Sequence, residues 1–121
     1  MSFTFRKEER LCSKKKIDEL FKNSNSFFIY PYKFLWIVSE NKTDFPAQIV
    51  ISVPKKRYKK AVHRNLIKRR IREVYRLNKH ILYRNLQRKN ITIAAMIIYV
   101  GNEIHETSFL EGKLKKVFEK I

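Results

Sequence analysis

Three residue types that often diagnose function are almost missing from this chain: among 121 positions there are one cysteine, two glycines and three prolines. With Cys12 alone, neither an intramolecular disulfide nor a cysteine-based zinc site can form, and a lone thiol agrees with a reducing compartment. With only Gly101 and Gly112, there is no glycine-rich loop to cradle a nucleotide phosphate. Long hydrophobic runs are absent too. No run approaches the roughly 18 apolar residues needed to span a bilayer, and MSFTFRKEER lacks the apolar core of a signal peptide. A cytoplasmic protein is expected. Acids are scarce, 11 against 28 Lys and Arg, and they form no Asp-x-Asp or Asp-x-Glu pair of the kind that holds two catalytic metals. His63, His80 and His105 show no metal-ligand spacing, and no Cys, Asp or Glu completes a set around them. They read as surface residues, with His63, beside Arg64, the one placed to meet a phosphate or a base. These absences argue against a self-sufficient hydrolase and against a metal or cofactor site on the protein.

What the chain has in abundance is positive charge. The formal net charge is +17 and the pI about 10.2, a balance that repels itself unless an anionic partner neutralises it, so a nucleic acid is the first partner to consider. At 44% hydrophobic, residues 1–121 suit one compact domain with a modest core. The charge is concentrated in Lys55 to Arg76, KKRYKKAVHRNLIKRRIREVYR, where eleven Lys and Arg face one acid, Glu73. Wound as a helix at about 100° per residue, Asn65, Lys68, Arg69, Arg72 and Arg76 fall in one arc. Ile67, Ile71 and Val74, flanked by Tyr75, form a separate buried seam. A solubility surface would scatter its cations; a stripe can track phosphates. Each cation set against a phosphate releases counterions, with a slope of about 0.7 to 0.9 per contact in log affinity against log salt. Phe21, Tyr32, Phe34 and Trp36 are candidates for stacking on unpaired bases.

Periodicity gives the order α-β-β-β-α-β-α. Ser13 caps a short helix through about Lys22 with Ile17, Leu20 and Phe21 on its apolar seam, and Lys14 to Lys16 in its first turn. Phe27 to Tyr30 and Tyr32 to Ser39 are aromatic, β-branched strands with Pro31 between them, followed by a turn at ENKTDFP. Ala47 to Val53 is a third strand, ended by Pro54. The basic helix runs from about Lys60 to Leu77, with a further helical turn within Asn78 to Arg88 before a polar connection. Ile91 to Val100 is a fourth and central strand, and Glu106 to Lys120 a last amphipathic helix. The fold class is α+β, a four-stranded sheet with packed helices.

Ile51 to Arg72, ISVPKKRYKKAVHRNLIKRRIR, resembles the protein subunit of bacterial ribonuclease P. That family's signature is a Ser-Val-x-Lys-Lys strand end followed by Ala-Val-x-Arg-Asn-Arg-x-Lys-Arg-x-x-Arg. Arg10-Leu11, Ile17 to Phe21 and the element order extend the resemblance over nearly the whole chain. The resemblance implies that a catalytic RNA with bound Mg2+ hydrolyses the phosphodiester, while the protein holds precursor tRNA as its mature 5′ end is released. It also implies a left-handed β-α-β crossover, which general topology rules would not suggest. Carried over by position, Lys55, Lys56, Arg64, Asn65, Lys68, Arg69 and Arg72 would contact or position RNA, with Arg76 continuing the stripe. Ile17, Phe21, Trp36 and Ser52 would line a cleft for the single-stranded 5′ leader. Two positions depart from the pattern: Leu66 stands where the motif has Arg, with Arg70 and His63 as neighbouring substitutes, and Ile17 stands where an aromatic is common. The competing reading is a ribosomal or general structured-RNA-binding protein without a role in cleavage. A DNA-binding helix lacks the preceding helix and turn of a helix-turn-helix, and a membrane-surface helix lacks large apolar residues on its seam.

Overall fold

The computed structural model describes residues 4–39 and 45–121. A 3-10 turn at Lys7–Glu9 precedes α1 (Lys14–Lys22), β1 (Asn25–Ile29), β2 (Tyr32–Ser39), β3 (Ala47–Ser52), α2 (Ala61–Lys89), β4 (Thr92–Tyr99) and α3 (Thr107–Glu119). The sheet order is β1-β2-β4-β3. β1, β2 and β4 pair antiparallel, and β3 lies parallel to β4. Parallel neighbours cannot be joined by a hairpin, and α2 supplies the long crossover. Of the expected turn at ENKTDFP, positions 40–44 lie outside the described residues.

Strand alternation builds two cores. On one face Tyr32, Phe34, Ile49, Ile93, Ile97 and Tyr99 pack with the seam of α2 and with Leu110, Leu114, Val117 and Phe118 of α3. On the other, Leu35, Ala94 and Met96 pack under Leu11 and Leu20, with Ile17 partly buried beside them. The layers are therefore α1, sheet, and α2 with α3, which is why both faces of β2 are apolar.

α1 begins where Ser13 Oγ accepts from the Lys16 amide at 3.3 Å, satisfying one of the amides that a helix start leaves unpaired. α2 corrects the sequence expectation of a helix ending near Leu77. It is one unbroken helix of 29 residues, because Leu82 and Leu86 prolong the buried seam and its polar residues are tied to neighbours. Asn78 Nδ2 donates to Val74 O and to Glu111 Oε2, both at 2.9 Å, and Asn85 Nδ2 donates to Phe118 O at 3.0 Å. It ends at Asn90, whose φ of 54° is the left-handed cap conformation that asparagine tolerates.

The N-terminal segment is strapped to the same helix. Lys79 Nζ, buried, donates to both Glu9 carboxylate oxygens at 2.7 Å and to the carbonyl of Thr4. Phe5 packs edge-on against Tyr75 at 5.2 Å, and the Leu11 amide donates to Ile49 O at 3.0 Å beside the Arg10–Ile49 bridge. Among the described residues, no helix is long and apolar enough to cross a membrane.

Candidate nucleic-acid interface

α2 enters its first turn without a side-chain cap and without an acid, so its unpaired amides and positive dipole end stand among cations. The loop before it is held by a backbone turn and by the side chains of Tyr58 and Arg64. The Arg57 and Tyr58 amides donate to Pro54 O, Tyr58 Oη donates to Gly101 O at 2.8 Å, and Arg64 Nη1 reaches back to the carbonyls of Tyr58 and Lys59 at 2.7 and 2.8 Å. Arg64 thus shapes the loop that presents Lys55 and Lys56, both exposed, and its guanidinium has other N–H groups to offer an anion.

The expected stripe is assembled on the outer surface of α2. Asn65, Arg69 and Arg72 are exposed, while Lys68 and Arg76 are half-buried. Arg76 pairs with Glu73 at 2.5 Å. The hydrogen bond between them holds the Glu73 carboxyl below its usual range and raises Arg76. Of the two substitutes for the motif arginine at Leu66, Arg70 is engaged elsewhere: its Nη1 donates to His105 O at 2.8 Å, anchoring the loop before α3. His63 is exposed. His105 departs from the surface reading. It stacks on Phe109 at 4.2 Å, and its Nε2 lies 3.1 Å from Tyr30 Oη.

The four residues expected in the leader cleft divide between the two faces. Ile17, Phe21 and Ser52 share the α1 side. Trp36 packs against the opposite core, under α2 and α3, because period 2 aligns it with the buried Tyr32 and Phe34. Those two are core as well, with Tyr32 Oη donating to Leu110 O at 3.0 Å. Phe21, 62% exposed, is the remaining stacking candidate of the four. Lys16 Nζ bonds Ser39 Oγ at 3.3 Å, so α1 covers the end of the sheet where β2 finishes and β4 starts. The row at the other end, Phe28, Lys33, Ile98 and Ser52 in register across all four strands, is only partly covered, with Ile98 packing at the edge of the Leu11 and Leu20 cluster. Lys33 and Phe28 are exposed, Ile98 and Ser52 half-buried. Lys33 and Phe28 escaped the sequence reading, since only the strand register shows that they line up with Ser52. Among the described residues no three His, Cys, Asp or Glu cluster as metal ligands.

The family model "Ribonuclease P" matches residues 5–121. The ribonuclease P protein component of Porphyromonas gingivalis is 32% identical over 120 residues, covering 99% of this chain and 88% of that one. The component from Pseudoalteromonas translucida is 35% identical over 121 residues, covering 98% and 78%. In fold, the chain superposes on the ribonuclease P protein of Thermotoga maritima with a TM-score of 0.74 at 24% identity, covering 93% and 97%. The Staphylococcus aureus protein gives 0.70 at 22%, covering 93% and 94%. Sequence, element order and basic helix agree, and the chain belongs to the bacterial ribonuclease P protein family.

Proposed function

We propose that this chain, as the protein component of ribonuclease P, divides its work between two surfaces that meet at the end of β3. Family membership makes it a subunit of the enzyme that removes the 5′ leader of precursor tRNA, with hydrolysis carried out by the RNA. The outer face of α2, through Asn65, Lys68, Arg69, Arg72 and Arg76, docks on the catalytic RNA. Lys55, Lys56 and Arg64 position phosphates at the helix start. The partly open row beside α1, with Phe21, Ile17 and Ser52, receives the single-stranded leader in the cytoplasm. Trp36 takes no part in that cleft. Mg2+ belongs to the RNA, to which the protein contributes charge neutralisation and substrate position. No DNA or membrane partner is invoked.

The observation that carries this reading is the exposed Asn65–Arg69–Arg72 face on a helix whose opposite side is core. Its test is the salt dependence of binding to ribonuclease P RNA: Arg69→Ala and Arg72→Ala each lower the log–log salt slope by about 0.7 to 0.9 and leave the melting temperature unchanged. A loss of thermal stability instead would make those side chains structural. A general structured-RNA binder would hold precursor and mature tRNA equally, so affinity that grows with the leader counts against it.

A further inference from the structure

Phe28 is an exposed aromatic on an edge strand, 60% accessible, a position where a core residue loses most of its benefit. Its neighbour Phe27 takes the buried side, packing on Phe34 at 5.5 Å, so alternation turns Phe28 to the α1 face. There it closes the β1 end of the partly open row formed with Lys33, Ile98 and Ser52. The β3 end of that row leads through Val53 and Pro54 into the exposed cations Lys55 to Arg57. Four strands spaced about 4.8 Å apart give a floor about 14 Å wide, which suits a short single-stranded segment of at most about four nucleotides at a stacked spacing of about 3.4 Å. Lys33, exposed, stands inside it between Phe28 and Ile98. Phe21, the other large aromatic more than half exposed among the described residues, sits in the last turn of α1, the helix packed on this face.

We infer that Phe28 is a second stacking platform for an unpaired nucleotide of the polynucleotide lying on this shelf, separate from Phe21, with Lys33 holding the phosphate between the two bases. The occupant is single-stranded RNA: the shelf joins cations to exposed rings, a pairing that matches phosphates alternating with bases and that neither a duplex nor an apolar peptide would need. This rests on the reading of the α1 face as the leader path and adds to it a second base position and its residue.

The test uses the assembled holoenzyme and precursor tRNAs carrying 2-aminopurine at one leader position at a time. In the wild-type protein, fluorescence is quenched at two positions. Phe28→Ala removes quenching at one of them and weakens binding of leaders long enough to reach it by about tenfold, Phe21→Ala removes quenching at the other, Phe28→Trp restores the signal and Phe28→Leu does not. Unchanged quenching and affinity in Phe28→Ala, or full rescue by leucine, overturns the inference while leaving the leader path standing. If the wild type shows no quenching and no leader-dependent affinity at all, the leader path itself fails. Thermal melts of each variant check that the fold survives, as the exposure of Phe28 leads one to expect.

Discussion

Phe21 and Lys79 mark the extremes of what a single side chain does in this molecule. Phe21 is mostly in solvent, so Phe21→Ala costs about 1 kcal/mol of folding stability or less. Its affinity for a leader-bearing precursor falls by about 1 to 3 kcal/mol if the ring stacks on a base. Calorimetric melting beside holoenzyme binding separates the two effects, and equal affinities would remove Phe21 from the site. Lys79 is the reverse case. Buried with Glu9, it has no access to RNA despite its position on a basic helix. Lys79→Met strands the Glu9 carboxylate and costs about 3 to 5 kcal/mol, whereas joint replacement of Lys79 and Glu9 by apolar residues recovers most of that. Urea denaturation of the two variants reads the difference. Arg70 belongs with Lys79 rather than with Arg69, because its guanidinium holds the carbonyl of His105.

At the scale of elements, α2 carries a buried seam on one side and exposed cations, the proposed recognition face, on the other. The proposed recognition side is tested by the salt response of Arg69→Ala and Arg72→Ala; Arg64→Ala is expected to go further, since it also frees the carbonyls of Tyr58 and Lys59. It therefore weakens RNA binding more than one lost contact would, and Arg64→Lys, lacking the planar fork, recovers only part. A titration against salt shows this as lost affinity in excess of the change in slope. α2 also shows what was legible beforehand. Its stripe and seam followed from spacing alone, the order of elements along the chain from periodicity, and the central place of β4 from its apolar run. Its length did not, because the second half is held by partners far away in sequence: Glu111, Phe118 and Glu9 turn polar residues such as Asn78 and Lys79 into interior ones. Trp36 failed for a related reason. Alternation correctly grouped it with Tyr32 and Phe34, but which face α1 covers is decided by tertiary packing. Phe28 and Lys33 became visible as a row only through the register of four strands.

The whole molecule couples a tyrosine-rich core to a strongly cationic exterior. Burial pushes the hydroxyls of Tyr32, Tyr75, Tyr83 and Tyr99 above their ordinary range. For a group whose folded pKa is raised, the unfolded chain loses its proton first. Stability from these tyrosines is therefore full below their unfolded value of about 10 and declines as pH rises past it. Urea midpoints measured on either side of that value show the decline, and a flat profile contradicts the burial of those rings. The exterior, with a formal net charge of +17, suits an RNA partner, and the two proposed surfaces would make the binding specific. Reconstitution tests that claim most directly: add the protein to a bacterial ribonuclease P RNA at low magnesium and follow cleavage of precursor tRNA at the 5′ junction, with and without a leader long enough to reach the α1 face. Stimulation of cleavage, with affinity that grows with the leader, is the predicted result; no stimulation across cognate and related RNAs, or equal affinity for precursor and mature tRNA, contradicts it.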